Sequence, residues 1–139
     1  MSIESALKTH LENDATLSGL GVVVYPHVAP QQAVYPFITY SILSAESSRA
    51  LNKAAGQVTL TETTIELQVF SDSVSERSTA MTRIRNILHG FRGALGTENL
   101  DIRETTLQNV STFSEADITG TDEQIYRANL VFSFFYNWT

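Results

Sequence analysis

This 139-residue chain contains no cysteine, so thiolate chemistry is excluded. The remaining candidates for catalysis or metal binding are its histidines, acids and serines. His10, His27 and His89 show no metal-ligand spacing with one another or with nearby acids, and a structural zinc site is not expected without cysteine. No glycine-rich loop follows a strand in a phosphate-binding pattern, and no serine lies in a nucleophile-elbow sequence. The sequence therefore predicts no catalytic, metal or cofactor site, and a protein that is not an enzyme.

Charge is the remaining feature that could specify a partner. The formal net charge is −6; residues 98–123 hold seven acids and one base, whereas residues 77–92 hold four arginines and no acid. One interpretation is two solvated faces. The other is a protein with one acidic and one basic side that binds copies of itself head to tail. Tight binding to a nucleic-acid backbone is disfavoured because it needs clustered Lys and Arg in excess.

The elements that would position these charges are organised around residues 64–91. Alternating apolar residues up to Val69 predict a strand with one buried face. Ser73 and Glu76 have the spacing of a capping box at the start of a helix, and Gly90 and Gly93 can end that helix with positive φ. The apolar side chains of the helix share one arc and should lie on the sheet; they are Ala80, Met81, Ile84, Ile87, Leu88 and Phe91.

Arg77 breaks the pattern of this helix, because it projects near the middle of the apolar arc. It could extend past the sheet edge to water, or it could pair with Glu66 or Asp72. A contact with another subunit is a third interpretation.

The rest of the chain predicts short elements separated by polar loops. A one-residue slip in the apolar alternation of residues 57–70 predicts a bulge or a sharp twist within residues 61–64. Alternatively, the outer half of that strand leaves the sheet and forms a hairpin with the preceding strand. The predicted segments are a helix at 2–13, an irregular connection at 14–21, strands at 22–25, 37–45 and 57–70, a mobile arm at 46–56, a turn at 93–99, an extended segment at 100–113, an acidic turn at 114–123 and a strand at 125–138.

The predicted fold class is α+β, in the order α-β-β-β-α-β-β. No βαβ alternation requires a parallel sheet, so we expect a mostly antiparallel sheet of about four to five strands with two helices packed on it. Residues 1–139 form one domain, with the mobile arm at about 46–56. No apolar run reaches the roughly 18 residues of a membrane span, and the N-terminus is unlike a signal peptide, so we expect a soluble protein that stays where it is made.

Several segments together resemble the tail completion proteins of long-tailed bacteriophages, also called tail terminators or tail-to-head joining proteins. The resemblance covers nearly the whole chain: an opening helix (IESALKTHLENDATLSGL), a segment VVVYPHVAPQQAVYPFITYSIL, a strand and helix IELQVFSDSVSERSTAMTRIRNILHGFRG, and an aromatic strand ending FSFFYNW. The longer arm at 46–56 and the extended third strand depart from the family pattern.

The resemblance implies a structural virion protein at the tail–head junction, present in the host cytoplasm during assembly. Such proteins form a ring, usually of six copies, that caps the tail tube, ends its polymerisation and gives the head connector a docking surface. DNA passes through the ring without specific binding, and the family has no catalytic residues or cofactor. The alternatives are a head-side neck (head-completion) protein and a small host α+β binding module.

In such a ring, we expect the basic helix to contact the acidic turn of the next subunit. Arg83 and Arg85 would face that turn. Its acids are Glu115, Asp117, Asp122 and Glu123; the last three could in principle share a cation, although an acidic hairpin tip is more often solvated.

The predicted arm is assigned a separate role, contact with the tail tube or the connector. Its charged residues are Glu46, Arg49 and Lys53. We expect it to become ordered only on binding.

Overall fold

The computed structural model describes residues 3–30, 33–47, 61–95, 100–116 and 124–138. They form one six-stranded sheet, in the order β1-β2-β3-β6-β5-β4, and three helices. The elements are α1 (Ile3–Glu12), α2 (Ala15–Gly19), β1 (Val23–Pro26), β2 (Phe37–Ser47), β3 (Thr61–Ser71), α3 (Val74–Leu88), β4 (Gly93–Leu95), β5 (Leu100–Ala116) and β6 (Gln124–Trp138). The α+β class is confirmed. None of the described helices has the length and apolar character needed to cross a membrane.

The central strands β3 and β6 are antiparallel and bury one face under the helices. Ile65 lies opposite Phe132, and Leu67 lies opposite Leu130; all four side chains are fully buried. The alternation predicted for the last strand is therefore confirmed between Ala128 and Tyr136. Along this strand the covered face is apolar, and it forms one core with α1 and α3.

Helix α3 begins at the predicted cap, with a variation on the capping box. The Ser73 side chain accepts a hydrogen bond from the Glu76 backbone N–H at 3.4 Å. The Glu76 carboxylate accepts one from the Ser71 hydroxyl, and that hydroxyl accepts the Ser73 N–H at 3.1 Å. In a standard capping box the Glu76 carboxylate would accept the Ser73 N–H directly. Here the buried Ser71 hydroxyl lies between the two groups and bonds to both. Gly90 ends the helix with a φ of 76°.

The sheet has more strands than predicted, and it is mixed. Residues predicted as a turn include β4, which pairs with Leu100–Ile102. The first strand β1 is parallel to β2. After Pro26, the left-handed φ of 59° at His27 turns the chain away, so the connection returns to the start of β1 before β2 begins. A parallel neighbour follows from that return, since a tight hairpin would have made the pair antiparallel.

The segment predicted as an irregular connection contains a third helix, α2. The Asp14 side chain caps it by accepting a hydrogen bond from the Leu17 backbone N–H at 3.1 Å. Leu17 is fully buried beneath it. Five residues are too few for a periodicity signal, so the cap was the feature that could have indicated this helix.

The predicted bulge in the third strand is wrong in its position. Strand β3 pairs with β6 without a fault from Thr61 to Ser71. The irregularity lies in the neighbouring strand β2, between Ile42 and Ser44, opposite Ile65 and Thr64. Residues 57–60 lie outside the described part of the chain, as do residues 48–56 of the predicted arm. The first two residues of that arm, Glu46 and Ser47, belong to β2.

Candidate assembly interface

The outward face of α3 forms two adjoining grooves, whose lining combines small polar side chains with Arg83 in the first groove and with Arg85, His89 and Leu107 in the second. The first has a volume of about 400 Å³ and lies between α2 and α3. The second, of about 360 Å³, continues toward β5. Thr82 and Asn86 line both grooves. Hydroxyl and amide side chains cost less hydration free energy than charged ones when a partner covers and hydrogen-bonds them, so this face is suited to subunit contact.

Arg83 borders the first groove and is bound to Asp14 of its own chain. Its Nε lies 3.0 Å from Asp14 Oδ1 and 3.1 Å from Oδ2, and its second terminal nitrogen lies 2.8 Å from Oδ1. The hydrogen bonds from Arg83 hold the pKa of Asp14 below its usual range, and the capping contact with Leu17 acts in the same direction. Arg83 therefore fastens α3 to the cap of α2. The partners are 69 residues apart, and nothing in the sequence pairs them.

The other predicted interface residues are placed only in part. Arg85 is exposed on α3. Glu115 lies in β5 opposite Ile125, whereas Asp117, Asp122 and Glu123 are outside the described residues. The contact between the arginines and the acidic turn therefore stays a prediction.

The predicted arm residues are placed in a similar way. Glu46 lies in β2 opposite Glu62, and Arg49 and Lys53 are outside the described residues. The contact of the arm with the tail tube or the connector is likewise untested.

Arg77 contacts an aromatic ring of β6. Its guanidinium carbon lies 5.6 Å from the centre of the Tyr126 ring, a distance at which a cation is attracted by the ring face. The side chain is half-buried. The sequence had suggested water, Glu66, Asp72 or another subunit as its surroundings; the contact with Tyr126 was not foreseen.

The second face of the sheet is polar, and we call it the polar face. No helix packs on it within the ranges that the structure describes. Ser133 lies at its centre and bonds to three side chains on the two flanking strands: Gln108 Nε2 on β5 at 2.7 Å, and Glu62 Oε1 and the Thr64 hydroxyl on β3 at 3.2 Å and 3.3 Å. These bonds fix the side chains across β3, β6 and β5.

One end of the polar face carries a cluster of aromatic rings. The Phe37 ring lies 5.0 Å from that of Phe70, 5.3 Å from that of Tyr35 and 6.0 Å from that of Tyr25. Val28, in the loop after β1, is 80% exposed beside them. This end offers apolar surface to a partner.

The histidines have structural neighbours. His10 packs edge-on against Phe91 with ring centres 5.0 Å apart, and burial lowers its pKa while the nearby Asp14 charge partly opposes that shift. His89 Nδ1 accepts a hydrogen bond from the Leu107 backbone N–H at 3.2 Å. Within the described ranges, no cluster of three or more His, Asp or Glu residues could hold a metal ion.

Comparisons with known proteins place this fold. A chain of the solved structure described as the virion of a native gene transfer agent (GTA) particle superimposes with a TM-score of 0.69 and 17% sequence identity. The match covers 98% of this chain and 95% of that one, and at this identity it establishes the shared fold. Comparison with curated protein sequences finds no match.

A family model gives the more specific result. The model described as phage neck terminator protein matches residues 1–138, which is nearly the whole chain. Proteins of this family are structural components of the phage neck. The chain belongs to the phage neck terminator protein family.

Proposed function

We propose that this protein forms a ring of six copies that caps the phage tail tube, ends tail polymerisation and joins the tail to the head connector. The observation that supports this function best is the family match over residues 1–138. The similarity to a chain of a gene transfer agent virion is consistent with it. The ring and its position on the tail are our proposal.

The polar grooves on α3 are the surface we assign to the neighbouring subunit. Arg83 uses its Nε and one terminal nitrogen on Asp14, while its side chain is still 39% exposed. A guanidinium has five N–H donors, so donors are left for a second carboxylate. Arg85 is exposed and lines the second groove. Both can meet the acidic turn at residues 115–123 of the next copy.

Charge reversal tests this contact. Arg83→Glu combined with Arg85→Glu should weaken assembly, and the loss for the single variant Arg85→Glu should diminish at high salt because exposed charge pairs are screened. Arg92→Glu is the matched control, since Arg92 is an exposed arginine of the same basic segment. Native mass spectrometry of assembled rings measures the effect. Unchanged assembly of Arg85→Glu would remove the arginine–acid contact from the proposal.

We assign the polar face to the channel. Its described charged side chains include Glu62, Glu66 and Glu104 on one part and Arg127 on another. A channel lined by hydroxyls, amides and more acids than bases would not hold DNA phosphates by charge, so DNA would pass without specific binding.

We assign the predicted arm to the tail tube or the connector. Deleting residues 48–56 while retaining β2 and β3 should leave the ring intact and reduce joining of tails to heads. Counting joined and separate particles by electron microscopy measures this effect. Normal joining would exclude that role for the arm.

The function itself is tested by electron microscopy of lysates from a phage that lacks this gene. Filled heads separate from irregular or overlong tails are the expected result. Complete tails of normal length beside leaking heads would instead indicate a head-side neck protein. Intact virions in normal number would contradict a role in the neck.

A further inference from the structure

We propose that neighbouring copies join by backbone hydrogen bonds between the outer edge of β2 in one copy and the outer edge of β5 in the next, so that the sheet continues around the ring. This inference rests on the proposed ring and adds a backbone contact between neighbouring copies to the side-chain contact assigned to α3. The two edges lie on opposite sides of the sheet. A contact between two different surfaces of the same chain is heterologous, and such contacts produce rings when the rotation closes.

The outer edge of β2 is covered only at its beginning. Strand β1 pairs with Phe37–Tyr40. It ends at Pro26, which has no N–H to donate, and the His27 N–H makes a last bond to the Tyr40 carbonyl at 2.8 Å. Among the described residues, no strand pairs with Ser41–Ser47 on this side.

The outer edge of β5 is covered only over its first half. Strand β4 pairs with Leu100–Ile102. The turn after α3 then takes two more backbone groups: Gly90 N–H donates to the Thr105 carbonyl at 2.9 Å, and His89 accepts the Leu107 N–H. From Asn109 to Ala116, no described element pairs with this edge.

These two stretches lack the residues that normally prevent an edge strand from pairing. Proline and lysine are the usual protection, and neither occurs in residues 41–47 or 109–116. Leu43 is 55% exposed on the first stretch. By contrast, the short edge strand β1 is protected, since α1 lies against it and Glu12 accepts the Val24 N–H at 3.2 Å.

The strand directions suit this pairing. Strands β2, β3, β6 and β5 are neighbours and antiparallel in turn, so β2 and β5 run in opposite directions. Rotation about a ring axis preserves the direction of each strand along that axis. β5 of one copy would therefore meet β2 of the next copy in the antiparallel arrangement, which is the slightly more stable one per residue.

The offset of the two edges along the strands also suits a closed ring. Ser44, in the middle of the free stretch of β2, pairs with Thr64, which pairs with Ser133 on β6. Thr112, in the middle of the free stretch of β5, pairs with Ala128, which lies five residues earlier on β6. Five residues span about 17 Å, and four strands span about 19 Å. Bringing the two edges together tilts the strands by about 42° from the ring axis, within the roughly 35–45° found in closed barrels.

Disulfide cross-linking tests the inference, because the chain contains no cysteine that would interfere. Ser44 and Ser111 lie on the polar face in the two free stretches. The test uses the variant Ser44→Cys/Ser111→Cys, and the variant Ser44→Cys/Asn109→Cys covers a register shifted by two residues. Each variant is assembled in virions, oxidised and then separated under denaturing conditions. We expect a ladder of covalent multimers up to the full ring, at least tenfold more abundant than in a Ser44→Cys/Ser75→Cys control with its second cysteine on the exposed side of α3.

The single variants distinguish a contact between two different edges from a contact of one edge with itself. Ser44→Cys and Ser111→Cys should each stay monomeric when oxidised alone, and a mixture of the two should give covalent dimers and nothing larger. Cross-linking of Ser44→Cys to itself would show a two-fold contact and overturn the inference. Rings visible by electron microscopy with neither double variant cross-linked would overturn the edge pairing and leave the proposed function standing. Virions without any ring of this protein would overturn both.

Discussion

The two faces of β3 and β6 differ in the kind of interaction that orders them. On the covered face, apolar side chains such as Phe132 and Leu67 are fully buried; the interior polar pair, Thr63 and Tyr136, is hydrogen-bonded at 2.9 Å. On the polar face, carboxylate, amide and hydroxyl side chains bond across the strands through Ser133 and along β3 between Gln68 and Glu66. The same two strands thus supply the stability of the fold on one side and a hydrated surface on the other. We expect substitutions on the first side to change the free energy of unfolding, and those on the second to leave it nearly unchanged.

The largest expected effect comes from the covered face. Phe132→Ala should lower the free energy of unfolding by about 3–5 kcal/mol, because it leaves a cavity in the core. Phe135→Ala is the matched control, since Phe135 is three residues away on the polar face and only half-buried. Urea unfolding followed by circular dichroism measures both. Equal losses of unfolding free energy for the two variants would contradict the conclusion that the covered face stabilises the fold more than the polar face.

The next effect sharpens the comparison within the helical layer above the covered face. Asp14→Ala removes both the cap of α2 and the ion pair with Arg83, and should cost roughly 1–3 kcal/mol. Asp14→Asn keeps a capping side chain and loses the charge, so it should cost less. Urea unfolding of both variants separates the two contributions. A loss for Asp14→Asn equal to that for Asp14→Ala would place the whole effect in the charge.

The same pair predicts a dependence on pH. The folded-state pKa of Asp14 is lowered, so the stabilisation is present above the unfolded-state pKa of about 3.9 and is lost as pH falls through the lower folded value. The difference in unfolding free energy between the natural chain and Asp14→Asn should therefore be constant near neutral pH and shrink below about pH 4. A difference that grew on acidification would contradict this assignment.

A smaller effect is expected at the start of α3. Ser73→Ala removes the side chain that accepts the Glu76 N–H, and should lower the free energy of unfolding by about 1 kcal/mol. Ser75→Ala, an exposed position in the same helical turn, should change it by less than about 0.5 kcal/mol. Thermal unfolding of the two variants side by side measures the difference. Identical midpoints would show that Ser71 and Glu76 hold the helix start without the cap.

The smallest effect is expected on the polar face. Glu66→Gln retains an acceptor for the Gln68 amide, which lies 2.8 Å from Glu66 Oε1, and should change the free energy of unfolding by less than about 0.5 kcal/mol. Urea unfolding is the measurement. A loss of several kcal/mol would show that the carboxylate supports the fold, and would remove the distinction between the faces.

Periodicity and capping chemistry predicted the centre of this fold because the signals there are local. The alternation around Phe132 and the Ser73–Glu76 spacing each lie within a few residues of one another in sequence. The edges of the sheet carried weaker signals: β4 has three residues, and a parallel β1 depends on the path of the loop after His27. A slip in the pattern of β3 indicated a bulge but could not reveal that its partner strand β2 contains it.

The candidate interface was predictable only in its composition. The excess of arginines on α3 and the small polar side chains of its outer face are visible in the sequence. The bond between Arg83 and Asp14, and the packing of Arg77 on Tyr126, join residues that are far apart along the chain. Such pairs follow from the tertiary fold, and a single sequence contains no local signal for them.

Helix α1 has a mechanical consequence for a component of a phage neck. It packs against both outermost strands of the sheet, β1 and β4, and its Glu12 holds the backbone of β1. A pulling force applied to either margin of the sheet is therefore shared with the core through Leu7 and Leu11, which are fully buried. Peeling β1 or β4 from the sheet would also break its contacts with α1, so we expect both margins of the sheet to resist tension.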